Sequence, residues 1–342
     1  MRKRRAILHI GTEKTGTTSV QASLSAARSA LLAQGFAYPL SPGAANHVRL
    51  AVFAGVPPLV EGLARDFQVA GGLEGTKAQL PEELAREVAA LPGTVHTVVF
   101  SNEHCHSRLR TVEEVARLKA LLDPLFEEVR ILVYLRRQDE LAASHYTTLL
   151  RGGATHTDVL SARGREPPSY FDYAALLDRW GAVFGQAALR PRLYLRELFP
   201  EGDTVLDVLQ ACGIPRLPVP AGTRARNLSL VPAAQEFLRR SNLAVAEGRG
   251  ERRLGLGRVG QVLEARFAGA GRLPSRAAAR AFVAPFAESN ERVRAAWFPD
   301  RASLFPEGFE EYPEEEPPPP GDAEVLEVAM TVIRDLEAKP PG

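Results

Sequence analysis

Cysteine is scarce in this chain, with only Cys105 and Cys212 among 342 residues. Two distant thiols exclude a disulfide framework and fit a reducing compartment, so the expected location is the cytoplasm. Long apolar runs are missing too: none reaches the roughly 18 residues that a membrane-spanning helix needs, and no transmembrane segment is expected. Neither sign of charge is in excess, since 42 Lys and Arg against 41 Asp and Glu leave a formal net charge of +1. That balance gives no reason to expect a nucleic-acid or membrane partner, and it requires any anion site to be local. The start, Met1-Arg2-Lys3-Arg4-Arg5, carries the charge of a signal-peptide leader, but only Ala6-Ile7-Leu8 follow before His9. Three apolar residues are far short of a leader's hydrophobic segment, so the basic start reads as a solvated tail. No internal repeat is present.

What remains is an ordinary globular composition, 45% hydrophobic and 24% charged, in a chain long enough for one large domain or two unequal ones. Residues 6–10 read as a short buried strand, followed by a Gly/Thr-rich turn and a helical pattern through Leu24, Leu31 and Leu32 that stops near Gly35. Further on, a helix over 81–91 leads into a strand over 95–100, and a helix over 112–122 into a strand over 129–135. Helices over 139–150 and 170–184 precede a last strand over 192–195. The alternation predicts an α/β fold, a parallel sheet flanked by helices. Beyond the proline-rich 215–220 the strand signal fades and helical stretches follow near 233–246, 259–267 and 277–297. The expected organisation is an α/β core over 1–215, a helical extension or lid over 216–310, a stiff Pro/Glu-rich linker over 311–321 and an amphipathic helix with tail over 322–342, docking on its own domain.

One segment carries chemistry. His9-Ile10-Gly11-Thr12-Glu13-Lys14-Thr15-Gly16-Thr17-Thr18-Ser19 sits where a strand turns into a helix, so backbone N–H groups and the helix dipole converge on one point, which favours a phosphate. Gly11 and Gly16 permit a tight turn and close approach of the backbone; the threonine hydroxyls add donors; Lys14 adds a mobile positive charge. A nucleoside-triphosphate loop is Gly-x-x-x-x-Gly-Lys-Ser/Thr. Here the glycine spacing is kept, but Thr17 stands where the lysine belongs and the lysine has moved to position 14.

This displaced form, Lys14-Thr15-Gly16-Thr17-Thr18, closely resembles the 5′-phosphosulfate loop of the P-loop sulfotransferases, and among them the bacterial sulfotransferase-family proteins. The resemblance implies the donor 3′-phosphoadenosine 5′-phosphosulfate, bound through Gly11, Lys14, Thr15, Gly16, Thr17 and Thr18, with no metal. It also implies an arginine at a strand end and a serine eight residues later, together holding the donor's 3′-phosphate. Val133-Tyr134-Leu135-Arg136 and Ser144 fit that pattern, and a guanidinium fork suits phosphate well. Arg137 offers a competing guanidinium, and Gln138 replaces the proline usual two residues after the arginine. A later loop of the family touches the same phosphate, for which Arg224 or Arg226 would serve. The fragments Asn46-His47, Arg226-Asn227-Leu228-Ser229 and Glu288-Ser289-Asn290-Glu291-Arg292 also look like recurrent segments of the group. The pattern covers about the first 215 residues.

Sulfuryl transfer needs a donor held in line, a cation for the departing bridge oxygen and a base for the acceptor's proton. Lys14 fits the cation. The resemblance puts the base at the end of a central strand, here at Glu103 or His104, with Glu103 preferred. Glu13, inside the loop, is expected to cap the helix or tune Lys14. His47 is a candidate for the acceptor side. His104-Cys105-His106 could suggest a metal, but neighbours at a strand end point opposite ways and no second ligand pair exists. The acceptor is a small molecule or a glycan. Two other readings stand beside this one: a P-loop kinase, in which Glu103 would help hold magnesium, and a non-catalytic nucleotide-binding protein.

Overall fold

The computed structural model describes residues 4–160, 168–215, 217, 229–249, 254–255 and 257–338. Contacts divide the chain into two compact units: Met1–Arg136 with Asp172–Asn227 and Ser289–Phe305, and Arg137–Phe171 with Leu228–Glu288 and Pro306–Gly342. These units interleave along the chain.

The first unit is built on a five-stranded parallel sheet, β1 Arg4–His9, β2 Phe36–Ala37, β3 Thr97–Ser101, β4 Phe126–Leu135 and β5 Leu189–Leu193, in the order β2-β3-β1-β4-β5. Every pairing is parallel. β1 is therefore the central strand, with Leu8 opposite Phe100 on one side and Ile131 on the other. Sequences such as Thr97-Val98-Val99-Phe100-Ser101, buried at every position, are what a strand covered on both faces requires. After β2 and β3 build one side of β1, the chain crosses to start β4 on the other. The carboxyl ends beside that reversal, those of β1, β3 and β4, are where open parallel sheets place ligands.

Sequence periodicity located most elements and misjudged several ends. The helix expected from Pro81 begins at Gly72 and runs through the proline to Ala90. Its buried stripe, Leu73, Thr76, Leu80, Leu84 and Val88, keeps helical spacing across Pro81 and offsets the cost of an interior proline. The last strand of the sheet lies at 189–193, three residues earlier than expected. The helices Thr17–Ala26 and Arg28–Ala33 are separate, divided at Ala27. By contrast the helix Val112–Leu122 matches its expected bounds, and Thr111 with Glu114 forms a reciprocal capping box at its start.

In the second unit the helices Gln138–Arg151, Pro232–Ala246 and Gly257–Phe267 pack together. A two-stranded antiparallel ladder, Ser229–Leu230 with Ala268–Gly269, lies in the region where the strand signal fades. The 311–321 stretch is no free linker. Glu316 pairs with Arg272 at 2.6 Å, Glu314 with Arg276 and Glu311 with Arg137, while Tyr312 is buried. The final helix, Asp322–Glu337, lies on Pro232–Ala246 and Gly257–Phe267, buries Val328 and Val332, and ties Asp335 to Arg266 at 2.7 Å. No helix among the described residues is long and apolar enough to cross a membrane.

Arg4 is not part of a solvated tail. Its guanidinium donates to the carbonyls of Val95 at 3.1 Å, Val88 at 3.1 Å, Leu91 at 2.9 Å and Pro92 at 3.3 Å. It thus caps the carboxyl end of the helix Gly72–Ala90 with a cation. We expect Arg4→Met to lower the unfolding free energy by about 1.5–3 kcal/mol, the range for hydrogen bonds to a charged group. Urea denaturation of the two proteins measures it, and an unchanged midpoint would show the contacts to be incidental.

Candidate functional site

The strand β1 ends at His9, and the chain leaves it while still bonded to β4. Ile10 N–H donates to Leu132 O at 2.9 Å, Thr12 N–H to Tyr134 O at 3.0 Å, and Tyr134 N–H to Gly11 O at 2.5 Å. The loop 11–16 is thus held against its neighbour before the helix Thr17–Ala26 begins. Gly11 has φ 91° and Gly16, at the N-cap, φ 77°, a region that favours glycine. Gly11 also has no room for a side chain: a Cβ there would lie 3.0 Å from the Cβ of Glu103 and 3.1 Å from its Cα. Lys14 takes φ 61° without being glycine, an uncommon conformation that the surroundings must impose. Part of that hold is visible, because Arg136 Nη1 donates to Lys14 O at 2.9 Å. Inside the loop, Thr15 Oγ1 donates to Thr12 O at 2.6 Å. Thr12, Thr15 and Thr17 are buried, while Thr18 is exposed.

Topology brings Glu103 to this loop. β3 stops at Ser101, Asn102 N–H donates to His9 O at 2.9 Å, and Glu103 follows at the carboxyl end of the strand beside β1. Its Oε2 accepts from Gln21 Nε2 at 2.6 Å and from Asn46 Nδ2 at 3.1 Å. His104 takes a different partner. Its Nδ1 lies 3.3 Å from Glu13 Oε1, an ion-pair distance without hydrogen-bond alignment, and its ring meets Phe67 edge-on at 5.1 Å. Glu13 also accepts from Ser107 Oγ at 2.7 Å, so this loop carboxylate turns toward the helix His104–Arg108. That helix corrects the geometry expected of His104-Cys105-His106, which stand on a helical turn and not at a strand end. Among the described residues no cluster of three or more potential metal ligands occurs.

The two adjacent arginines part company at the boundary between units. Arg136, in the first, lies at the loop with its guanidinium 5.3 Å from the ring centre of Tyr194. Arg137, in the second, is buried and fully occupied. It donates to both oxygens of Asp139 at 2.8 and 3.0 Å and to the carbonyls of Pro306 at 3.2 Å and Gly308 at 2.7 Å, pairs with Glu311, and lies over the ring of Phe309 at 4.3 Å. Such packing leaves Arg137 no fork for a ligand. Ser144 stands on the helix Gln138–Arg151 of the second unit, its hydroxyl donating to Leu141 O at 3.1 Å. Arg224 and Arg226, with Asn227 and Leu228, lie outside the described residues.

Two further fragments have structural work. Ser289 donates to Asp172 Oδ1 at 2.6 Å and accepts from Ala174 N–H at 3.0 Å, securing the start of the helix Tyr173–Phe184, and Arg292 pairs with Asp178 at 2.8 Å. His47, a sequence candidate for the acceptor side, is wholly buried. Its Nε2 donates to Pro39 O at 2.9 Å while Nδ1 accepts from Ser101 N–H at 3.2 Å, a pair of bonds that only one neutral tautomer can make. Gln21 is the residue the sequence reading missed altogether. The signal was present: it follows the loop by five residues, on the helix face that Val20 and Leu24 mark as inward, where an amide needs a partner.

The chain matches no family model. A protein of Archaeoglobus fulgidus known only as an uncharacterized protein is 34% identical over 104 residues, which is 30% of this chain and 27% of that protein. The matched stretch therefore spans about a quarter of the relative's length. Among solved structures, a sulfotransferase from Alicyclobacillus acidocaldarius is similar at a TM-score of 0.42 and 18% identity, covering 72% of this chain and 97% of that one. A sulfotransferase domain from the curacin biosynthetic pathway is similar at a TM-score of 0.34 and 12% identity, covering 100% of this chain and 99% of that one. Likeness this distant assigns no activity.

Burial pushes the His47 imidazole down to about 3 and that of His9 down to about 4. Both fall below the value of about 6.5 expected in the unfolded chain. Their contribution to stability is therefore complete above about pH 6.5 and is lost as the pH falls through the acid range toward those folded values. We expect acidification from about pH 6.5 to 5 to lower the unfolding free energy. His47→Asn, which keeps an acceptor for Ser101 N–H, should lose less, by roughly 1 kcal/mol per pH unit over that range. Equal slopes for the two proteins would show that His47 is not titrating with unfolding.

Proposed function

We propose that this chain is a sulfotransferase, moving a sulfuryl group from 3′-phosphoadenosine 5′-phosphosulfate to a hydroxyl of an acceptor, with carbohydrate hydroxyls among the class. The observation that carries the reading is the loop after the central strand. Gly11, Lys14 and Gly16 all adopt positive φ, Glu103 packs against Gly11, and Arg136 reaches the loop's backbone. A glycine-bounded turn feeding the first turn of a helix is suited to an anion. A lysine inside that turn, in place of one after the second glycine, adds charge at the anion's flank.

In the proposed reaction the acceptor oxygen attacks sulfur, the bond from sulfur to the bridging phosphate oxygen breaks, and the acceptor's proton passes to Glu103. Gly11, Thr15, Gly16, Thr17 and Thr18 would hold the 5′-phosphosulfate, and Lys14 would offset charge on the departing oxygen. Glu103 is favoured over His104 as base by what each touches: Glu103 is held only by neutral amides among its recorded side-chain partners, whereas His104 is engaged with Glu13 and Phe67. Arg136 would bind the donor's 3′-phosphate. The part proposed for Ser144 rests on its spacing from Arg136 in the sequence, and that of Arg226 on the resemblance. No metal enters the scheme.

Lys14→Met and Glu103→Gln should each remove most turnover, assayed as release of 3′-phosphoadenosine 5′-phosphate, while both proteins stay folded and still bind that product. His104→Gln should be milder than Glu103→Gln; the reverse order would transfer the role of base to His104.

Binding separates this reading from a kinase without any acceptor. Calorimetry should show 3′-phosphoadenosine 5′-phosphate binding more tightly than nucleotides without the 3′-phosphate, and Arg136→Ala should weaken it by roughly ten- to a hundredfold. Ser144→Ala should cost less. Tight, magnesium-dependent ATP binding with no affinity for the bisphosphate would overturn the assignment.

A further inference from the structure

Two segments converge on one carboxylate oxygen. Gln21, on the helix that leaves the phosphate loop, and Asn46, from the segment before the helix Val48–Ala54, both donate to Glu103 Oε2, at 2.6 and 3.1 Å. Asn46 is oriented in turn, because Asn102 Nδ2 donates to its Oδ1 at 2.5 Å. Gln21 is buried and its Nε2 also lies 3.4 Å from Ser101 Oγ, which is within 3.0 Å of His9 Nδ1. The segment bearing Asn46 is itself clamped. Tyr38 Oη donates to Ala45 O at 2.5 Å, Arg28 Nε donates to Tyr38 O at 2.8 Å, the Tyr38 ring stacks on His47 at 4.2 Å, and His47 N–H donates to Ser101 O at 3.1 Å.

The choice of partners is chemically specific. An ionised carboxylate only accepts, so each amide must present its nitrogen, and the remaining oxygen of Asn46 is used by Asn102. Lysine or arginine in either place would hold the carboxylate equally well but would set a full positive charge against a group that must take up a proton. Neutral amides fix direction and leave the charge. With both on Oε2, Oε1 is the oxygen left for an incoming hydroxyl. We propose that Gln21 and Asn46 are positioning residues for proton transfer: they anchor Glu103 Oε2 so that Oε1 faces the acceptor. This inference rests on the reading of Glu103 as the base. It gives the Gln21 amide and the 38–47 segment a function that packing alone would not require, since a structural role would be served by apolar side chains of the same size.

The test uses the full chain and the release of 3′-phosphoadenosine 5′-phosphate from the phosphosulfate, with water and a panel of simple alcohols and phenols as acceptors. Gln21→Met and Asn46→Leu keep volume and remove the donors. Each should lower kcat by about ten- to a hundredfold, as expected for a misdirected catalytic group. The calorimetric affinity for 3′-phosphoadenosine 5′-phosphate should stay unchanged, and neither substitution should reduce the residual rate further in a Glu103→Gln background. Full kcat in the folded amide variants, with Glu103→Gln inactive, overturns the positioning role and leaves the base in place. A further loss in the double variants also overturns it, because the amides would then act independently of Glu103. Wild-type turnover in Glu103→Gln, or no release by the wild type above the uncatalysed rate, overturns the underlying reading itself. Should Gln21→Met fail to fold, Asn46→Leu and its double variant decide the matter alone.

Discussion

The pairing of β1 on both sides constrains the rest of the first unit. A strand bonded to β3 and β4 along its length cannot turn until it has cleared both. Here the ladder to β4 continues past the strand's end through Ile10, Gly11 and Thr12. The chain must then reverse into a helix within a few residues, beside Glu103 at the end of β3. Positive φ at Gly11, Lys14 and Gly16 is the geometric consequence. Each is costly or glycine-dependent in isolation, and each is tolerated because the neighbouring strands fix both ends of the turn. The same constraint brings the carboxyl ends of three strands together, so that the loop, Glu103 and Arg136 become neighbours although they are remote in sequence.

Around that point the polar groups are sorted by charge. Glu103 is met by amides, whereas Glu13 is met by the Ser107 hydroxyl and by His104. Deeper in, His9 and His47 are held neutral by burial, and His47 uses both nitrogens as one donor and one acceptor. Both imidazoles bond to Ser101, two residues before Glu103, and so support its position with neutral groups. Asp207 follows the opposite rule: it accepts from the Tyr134 hydroxyl at 2.5 Å and from two nitrogens of Arg192, at 2.7 and 2.6 Å. That arrangement neutralises the carboxylate and serves the fold, as buried ions usually must.

How far the sequence could be read depended on whether a feature is local. The loop was legible because its glycines, lysine and threonines lie within nine residues, between a strand signal and a helix signal. The helix over 112–122 was similarly plain, because its periodicity is local, and the structure adds the capping box of Thr111 and Glu114. Gln21 was not, and Asn46 was legible only as part of a recurrent fragment, because each becomes meaningful only when β3 is placed beside β1, and nothing in the local pattern records that adjacency. The start of the helix at Gly72 was missed for a related reason. Proline is a local stop signal, and it was overridden by burial that only the folded unit supplies. Arg4 read as a tail residue because its four carbonyl partners lie more than eighty residues away.

Arg136 and Arg137 show where local reading ends. The two are adjacent, chemically identical and equally close to the end of β4, so no spacing rule separates them. Packing does. Arg137 is surrounded by Asp139, Glu311, two carbonyls and the face of Phe309, and its guanidinium is held yet more firmly in its charged form by Asp139 against the opposing effect of burial. To recruit it for a ligand would strand Asp139 without its counter-ion, a cost that a bound phosphate could not cheaply repay. Arg136 reaches the backbone carbonyl of Lys14 and lies beside the ring of Tyr194. What sets the neighbours apart is thus the commitment of Arg137 to Asp139 and the groups around it, which only the folded chain supplies and no spacing rule records.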